Sequence, residues 1–157
     1  MFKFKTVFLA AAVSLASAGV MASALPVMHS PSSGSNYVAY TDVKTFTQAD
    51  SFCKSKQGHL AVYNSNGEIT DLKKYLELVP GVYWLGATQS PSYAITTVTG
   101  QTFYTQTVGI PETSIANPNE SSYYRFSADP LNVSSLQWAP AAIGSTGFVC
   151  EFEDSPV

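Results

Sequence analysis

Apolar and polar positions change their rhythm along the chain. Val7 to Val20 is an apolar run of mostly small and branched residues, broken only by Ser14 and Ser17. From Tyr37 to Leu85 apolar residues recur at helical or strand spacing, and from Ala87 to Ala142 they thin out among Thr, Ser, Tyr, Asn and Pro. Tyr37 to Tyr40 reads as a short strand. Thr47 followed by Asp50 has the spacing of a helix N-cap with an acidic residue at N3. Ala49, Phe52 and Cys53 then share one face at i, i+3 and i+4, and Gly58 is expected to close the helix as a left-handed C′ residue. Leu60 to Tyr63 reads as a buried strand. A second helix is predicted by the capping box of Ser65 and Glu68 and by the apolar face of Ile69, Leu72, Leu76 and Val79. Lys73 and Lys74 point outward from it, and Pro80-Gly81 stops it. Val82 to Gly86 follows as a buried strand, Ile95 to Val98 and Gln101 to Thr105 are short β-prone pieces, and Gly147 to Phe152 is a closing strand. The order is strand, helix, strand, helix, strand, a long irregular region and a last strand. That is an α+β domain with its helices grouped early.

The first apolar run lies outside this pattern. Lys3 and Lys5 precede it and Ala22-Ser23-Ala24 ends it, the arrangement of a secretory signal peptide over residues 1–24. A run this short ending in small residues is a poor membrane anchor, so no membrane insertion is expected and the protein is read as secreted and extracellular. Residues 25–36 are rich in Pro, Ser and Gly and read as a flexible lead-in, with no role assigned to His29. The domain then occupies 37–157, a size suited to one core. Only 12% of the chain is charged. Beyond residue 24 six basic residues (Lys44, Lys54, Lys56, Lys73, Lys74 and Arg125) face eleven acids, a formal charge of −5. An acidic chain without a basic stripe is a poor partner for nucleic acid.

Cys53 and Cys150 are the only cysteines. In an oxidising compartment an even pair defaults to one disulfide. A zinc site and a catalytic thiol are the alternatives. Two cysteines with one well-placed histidine, His59, are few for zinc, and no Cys–His–Asn pattern supports a thiol nucleophile. Gly144-Ser145-Thr146-Gly147 lacks the G-x-S-x-G spacing, no H-E-x-x-H is present, and the acids form no paired arrangement. The chain is not expected to be an enzyme, and His59, just before a buried strand, is read as structural.

The ordered set of motifs resembles the C-type lectin-like family. The matching pieces are Phe46-Thr47-Gln48-Ala49-Asp50-Ser51-Phe52-Cys53, then Gly58-His59-Leu60-Ala61, the helix Glu68 to Leu78, Tyr83-Trp84-Leu85-Gly86, Thr97 to Thr105, and Phe148-Val149-Cys150-Glu151. The resemblance implies two helices packed on small antiparallel sheets with a long irregular loop region, and it makes Cys53–Cys150 the outer disulfide. It also places a calcium and sugar site in the long loop. There Asn117-Pro118-Asn119 resembles the ligand tripeptide, which implies a cis bond before Pro118, and Trp138 resembles the tryptophan that precedes two further ligands. The next residues here are Ala139 and Pro140, which carry no side-chain oxygen, so Glu120 is the only charge near the tripeptide. Calcium binds through six to eight hard oxygens. The resemblance therefore implies at most a weak calcium site, and neither a metal nor a cofactor is assigned.

Asn119-Glu120-Ser121 and Asn132-Val133-Ser134 are glycosylation sequons, making Asn119 and Asn132 candidate acceptors. A glycan on Asn119 would remove it as a ligand, and the bland reading of residues 117–119 is a proline turn. Tyr93, Phe103, Tyr104, Tyr123, Tyr124 and Trp138 are aromatic residues of the loop region that could stack on sugar faces. Trp84 and Phe103 are expected in the core, Trp138 under the loop, and Tyr123 and Tyr124 either in the core or at a ligand. The candidate ligand-binding set is Asn117, Asn119, Glu120, Tyr123 and Tyr124. The leading expectation is a carbohydrate-binding module that works without calcium. The alternative is an extracellular protein partner, recognised by Tyr-, Ser- and Asn-rich loops much as a paratope recognises antigen.

Overall fold

The computed structural model describes residues 23–92, 94–101, 122–128, 135–140 and 144–153. Its strands are β1 (Met28–His29), β2 (Asn36–Lys44), β3 (His59–Leu60), β4 (Gly81–Gln89), β5 (Ile95–Thr97), β6 (Ser122–Ala128), β7 (Ser135–Pro140) and β8 (Thr146–Phe152). The helices are α1 (Phe46–Ser55) and α2 (Asn66–Glu77). The strands follow one path, β1-β2-β8-β4-β6-β7, with β3 on β8 and β5 on β4. The α+β class with two early helices holds. The strands join into a single sheet, in which the central pair, β4 with β8, runs parallel and the other pairs run antiparallel.

Alternation along the strands explains the layering. Tyr37, Ala39, Tyr83, Leu85 and Val149 face one side, where Ile69, Leu72, Tyr75 and Leu76 of α2 complete a buried cluster. Their neighbours Val38, Tyr40, Trp84, Phe148 and Cys150 face the other side and meet Phe46, Ala49 and Cys53 of α1. A sheet covered on both faces needs apolar residues at consecutive positions, which is why β4 and β8 read as continuous runs. Cys53 and Cys150 are bonded, tying α1 to β8 across 97 positions of sequence with Cα atoms 5.4 Å apart.

The N-cap of α1 lies two residues before the expected one. Thr45 is the N-cap: its hydroxyl accepts from the Gln48 amide (3.3 Å), and the Gln48 side-chain oxygen accepts from the Thr45 amide (3.1 Å). The earlier start places Phe46, Ala49 and Cys53 at i, i+3 and i+7 on the buried face. Asp50 instead pairs outside with Lys54 at 2.7 Å. At the other end the left-handed residue is Gln57 (φ 66°), not Gly58. The amides of Gln57 and Gly58 donate to the carbonyls of Lys54 and Cys53, which is a Schellman closure with a glutamine at C′. Gly58 is needed for space, since a Cβ there would stand 2.5 Å from the Glu151 carbonyl oxygen. Gln57→Gly should therefore raise unfolding free energy by about 0.5–1 kcal/mol, because a side chain in the left-handed region is strained. Gly58→Ala should lower it, and urea melts of both variants check the pair.

Only half of the expected box opens α2. The Ser65 hydroxyl accepts from the Glu68 amide at 3.2 Å, but the Glu68 carboxylate turns inward and is 1% exposed. Residues 25–36 are also no loose lead-in. Met28 pairs with Tyr37, Leu25 and Met28 pack on the α2 cluster, and the Tyr75 hydroxyl donates to the Pro26 carbonyl at 2.7 Å. The serines there are hydrogen-bonding groups: the Ser30 hydroxyl and the Ser32 amide both donate to one Asp71 carboxylate oxygen. The Ser32 hydroxyl foremost, then these two donors, hold that carboxyl below its usual range. Among the described residues no helix is long and apolar enough to cross a membrane.

Candidate functional site

The end of β4, the start of β6 and the end of β7 meet. Gln89 pairs with Ser122, Ser122 with Pro140, and Tyr123 with Ala139. Gln89 and Ser122 are 2% and 1% exposed, yet among the described residues the Gln89 side-chain oxygen and the Ser122 hydroxyl make no hydrogen bond. A buried polar atom left unpaired costs about 1–3 kcal/mol, so this end of the sheet carries an unmet polar demand. Tyr123 is half-buried, with its ring centroid 4.6 Å from Phe46 and 6.0 Å from Trp84. The Trp84 indole is itself fixed by donating to the Lys44 carbonyl at 2.9 Å. Tyr123 is thus anchored in the core on one side and open on the other.

Calcium does not fit the strand that would have to hold it. Ala139 is fully buried, packed in the same cluster as Trp84, and Pro140 after it offers no side-chain donor atom. Tyr124 and Trp138 are backbone partners across β6 and β7, which brings the aromatic pair to one register, while their side chains lie outside the described atoms. Asn117, Pro118, Asn119, Glu120 and Asn132 lie outside the described residues, as do Tyr93, Phe103, Tyr104 and residues 1–22.

A second polar constellation was not anticipated. Tyr37 is fully buried on β2, and its hydroxyl donates to carboxylate oxygens of Glu68 on α2 (2.5 Å) and Glu151 on β8 (3.3 Å). The Glu151 carboxylate also accepts from the Val62 amide at 3.0 Å, and Glu68 from the Asn64 amide at 2.9 Å. A cavity of about 190 Å³ opens beside them, lined by Ser33, Gly34, Ser35, Asn64, Glu68, Glu151 and Glu153. Burial, reinforced by the charge of Glu68, pushes the Glu151 carboxyl above its ordinary value, against hydrogen bonds from Val62 and Ser35 and the nearby His59. Burial and the two carboxylates push the Tyr37 hydroxyl far up. The signal was present in the alternation of β8: Val149 faces the α2 cluster, so Glu151 at i+2 faces the same side.

The frame is α+β and disulfide-closed, with two helices on a mixed sheet. The Lectin C-type domain profile matches residues 42–152. The chain belongs to the C-type lectin domain family. Similar solved structures include the C-type lectin domain of murine dendritic cell inhibitory receptor 2 in complex with N-glycan: 13% identity, TM-score 0.63, covering 76% of this chain and 91% of that one. The Ca²⁺-independent C-type lectin SPL-2 from Saxidomus purpuratus gives 15% identity and a TM-score of 0.60, covering 78% and 88%. A calcium-independent type II antifreeze protein gives 18% identity and a TM-score of 0.58, covering 75% and 85%. At these identities the likeness establishes the fold alone. No curated protein sequence matches the chain significantly.

Proposed function

We propose that the chain is a secreted, non-enzymatic carbohydrate-binding module that binds its glycan without calcium. The observation that carries this reading is the strand end at Ala139 and Pro140. A buried methyl group and a proline stand where metal-liganding oxygens would be required, while Gln89 and Ser122 hold unpaired polar atoms next to the half-open Tyr123 ring. An apolar ring beside a few unsatisfied polar groups suits a sugar, which presents an apolar face and a rim of hydroxyls. Asn117, Asn119, Glu120 and Tyr124 would supply further contacts, with Asn119 available only where its sequon is not glycosylated. Support also comes from structural neighbours of the same fold, one solved with an N-glycan and one named as a Ca²⁺-independent lectin.

The test is a glycan array run in calcium and in chelator, together with melting curves in both. Bound glycans should be the same in both conditions. Several millimolar calcium should leave the melting temperature unchanged, since a ligand far below its dissociation constant stabilises almost nothing. A rise of several degrees that Asn117→Ala or Glu120→Ala abolishes would overturn the calcium-independent reading. A blank array in both conditions would overturn the carbohydrate reading and favour a protein ligand.

A further inference from the structure

Half of the six basic residues beyond residue 24 lie in one short stretch of chain, as Lys44, Lys54 and Lys56. Lys54 is neutralised by Asp50, one turn away on α1 at 2.7 Å. Lys44 and Lys56 pair with no carboxylate among the described residues. Their ammonium groups stand 5.5 and 5.9 Å from the centre of a single ring, Phe52, within the range at which a ring attracts a cation. Phe52 is itself held edge-on by Tyr40 and Phe148, with centroids 4.9 and 5.2 Å away. The Lys44 backbone is also fixed, because its carbonyl accepts from the Trp84 indole at 2.9 Å. Two unneutralised cations are thus gathered on one anchored ring in a chain that is acidic as a whole. Beside them runs an open groove of about 620 Å³, lined by Val43, Lys44, Thr47, Gln48, Ser51 and Phe52. No acid is among these lining residues. Thr47 and Ser51 stand at i and i+4 and so share one face of α1. The side-chain oxygen of Gln48 is taken by the Thr45 amide, which leaves its nitrogen to donate.

We propose that this groove binds a sulfated saccharide, with Lys44 and Lys56 neutralising its sulfate. Three features of the lining match three features of such a ligand. Val43, 70% exposed, and the Phe52 ring give an apolar floor for the carbon face of a sugar. Thr47, Gln48 and Ser51 give hydroxyl and amide groups for its rim of hydroxyls. The two ammonium groups answer its negative charge. They are separate point charges with rotatable donors, which suits the three divergent oxygens of a sulfate ester, whereas a planar carboxylate is matched by an arginine fork. An acidic peptide or a phospholipid surface supplies the charge without the hydroxyl rim. A bilayer would also meet the acids of the whole chain, whereas a short saccharide in the groove responds to charges within about 8–10 Å. None of Gln89, Ser122 and Tyr123 lines this groove, so the inference does not rest on the proposed sugar-binding strand ends.

The test titrates the purified chain, disulfide intact, with a sulfated glycosaminoglycan oligosaccharide and, separately, with the same oligosaccharide chemically desulfated. The sulfated probe should bind, more weakly as salt rises, and the desulfated one should bind about tenfold more weakly or not at all. Lys44→Ala and Lys56→Ala should each weaken binding about threefold, and the double variant about tenfold, the scale of exposed charge contacts. Ser51→Glu, which sets a negative charge in the groove and leaves both lysines in place, should weaken it about tenfold as well. Lys73→Ala on α2 should leave it unchanged. Melting curves of these variants should match the parent, because every substituted side chain reaches solvent. Neutral glycans found on an array should bind the lysine variants as they bind the parent, which separates this groove from the strand-end site. No binding of the sulfated probe, equal affinity for the desulfated one, affinity unchanged in the double variant, or an equal loss in Lys73→Ala would each overturn the proposal. So would an acidic peptide or phosphatidylserine vesicles that bind as tightly as the sulfated probe and are lost in the same variants.

Discussion

Replacing Cys53 and Cys150 together by alanine should lower the unfolding free energy by about 4 kcal/mol. The bond closes a loop of 97 positions, and the chain-entropy model assigns about 4.7 kcal/mol to a loop of 100 residues, less for relaxation of the denatured state. Both cysteines are fully buried, one in the α1 face and one in the central strand, so alanine avoids placing a hydroxyl in the core. With a typical domain holding about 5–15 kcal/mol in total, the variant should be close to unfolding at body temperature. Urea unfolding monitored by Trp84 and Trp138 fluorescence measures the change. The m-value should rise as well, because an uncrosslinked denatured chain exposes more surface. A loss under about 1 kcal/mol would show that the loop is restrained by something other than this bond.

Glu151 should respond oppositely to two substitutions. Glu151→Ala leaves the Val62 amide buried without an acceptor and opens space beside Tyr37, and should cost about 3 kcal/mol. Glu151→Gln keeps an oxygen for Val62 and removes a charge that burial opposes, so at neutral pH it should be as stable as the parent or more so. The pH dependence fixes the sign. The folded-state pKa of Glu151 lies above its ordinary value of 4.5, so the fold favours the protonated form. The stabilisation from that proton is complete below the ordinary value and is lost as pH rises through the folded value. Parent and Glu151→Gln should therefore agree near pH 4 and diverge toward neutrality, with the glutamine variant the more stable. Urea melts across that range give the comparison. A parent that gains on the glutamine variant as pH rises would mean the carboxylate is stabilised as an anion.

How much the sequence disclosed depended on whether a signal was local. Helix α2 was legible because the Ser65 cap, the Ile69, Leu72 and Leu76 face and the Pro80 stop are all contained within one stretch of chain. The Cys53–Cys150 bond followed from the even count, the expected compartment and the resemblance. The start of α1 was misplaced because Thr45 and Thr47 both look like caps, and only burial of Phe46 against Trp84 and Tyr123 decides between them. The lead-in looked loose because the carboxylate that holds it, Asp71, is some forty positions away on α2. The Tyr37–Glu68–Glu151 cluster has the same character: three residues from two strands and a helix, none of them unusual alone. For the ligand site, the missing oxygens at Ala139 and Pro140 were legible from the resemblance. The unmet polar demand of Gln89 and Ser122 was not, because it exists only once β4 and β6 are paired.

The strand that β2, β3 and β4 all pair with, β8, comes after every one of them in chain order. During synthesis these earlier strands must wait, with apolar faces unsatisfied, until residues 146–152 arrive to fill the gap between them. Neither side of the sheet can close before then, and Cys53 has no partner in the chain until Cys150 appears. Folding is consequently dominated by contacts distant in sequence, the regime of slow collapse and of exposure to aggregation. A ribosome stalled a dozen codons before β8 would have made both helices and the first six strands, with a free thiol. Such an intermediate is a natural client for chaperones and for thiol–disulfide exchange.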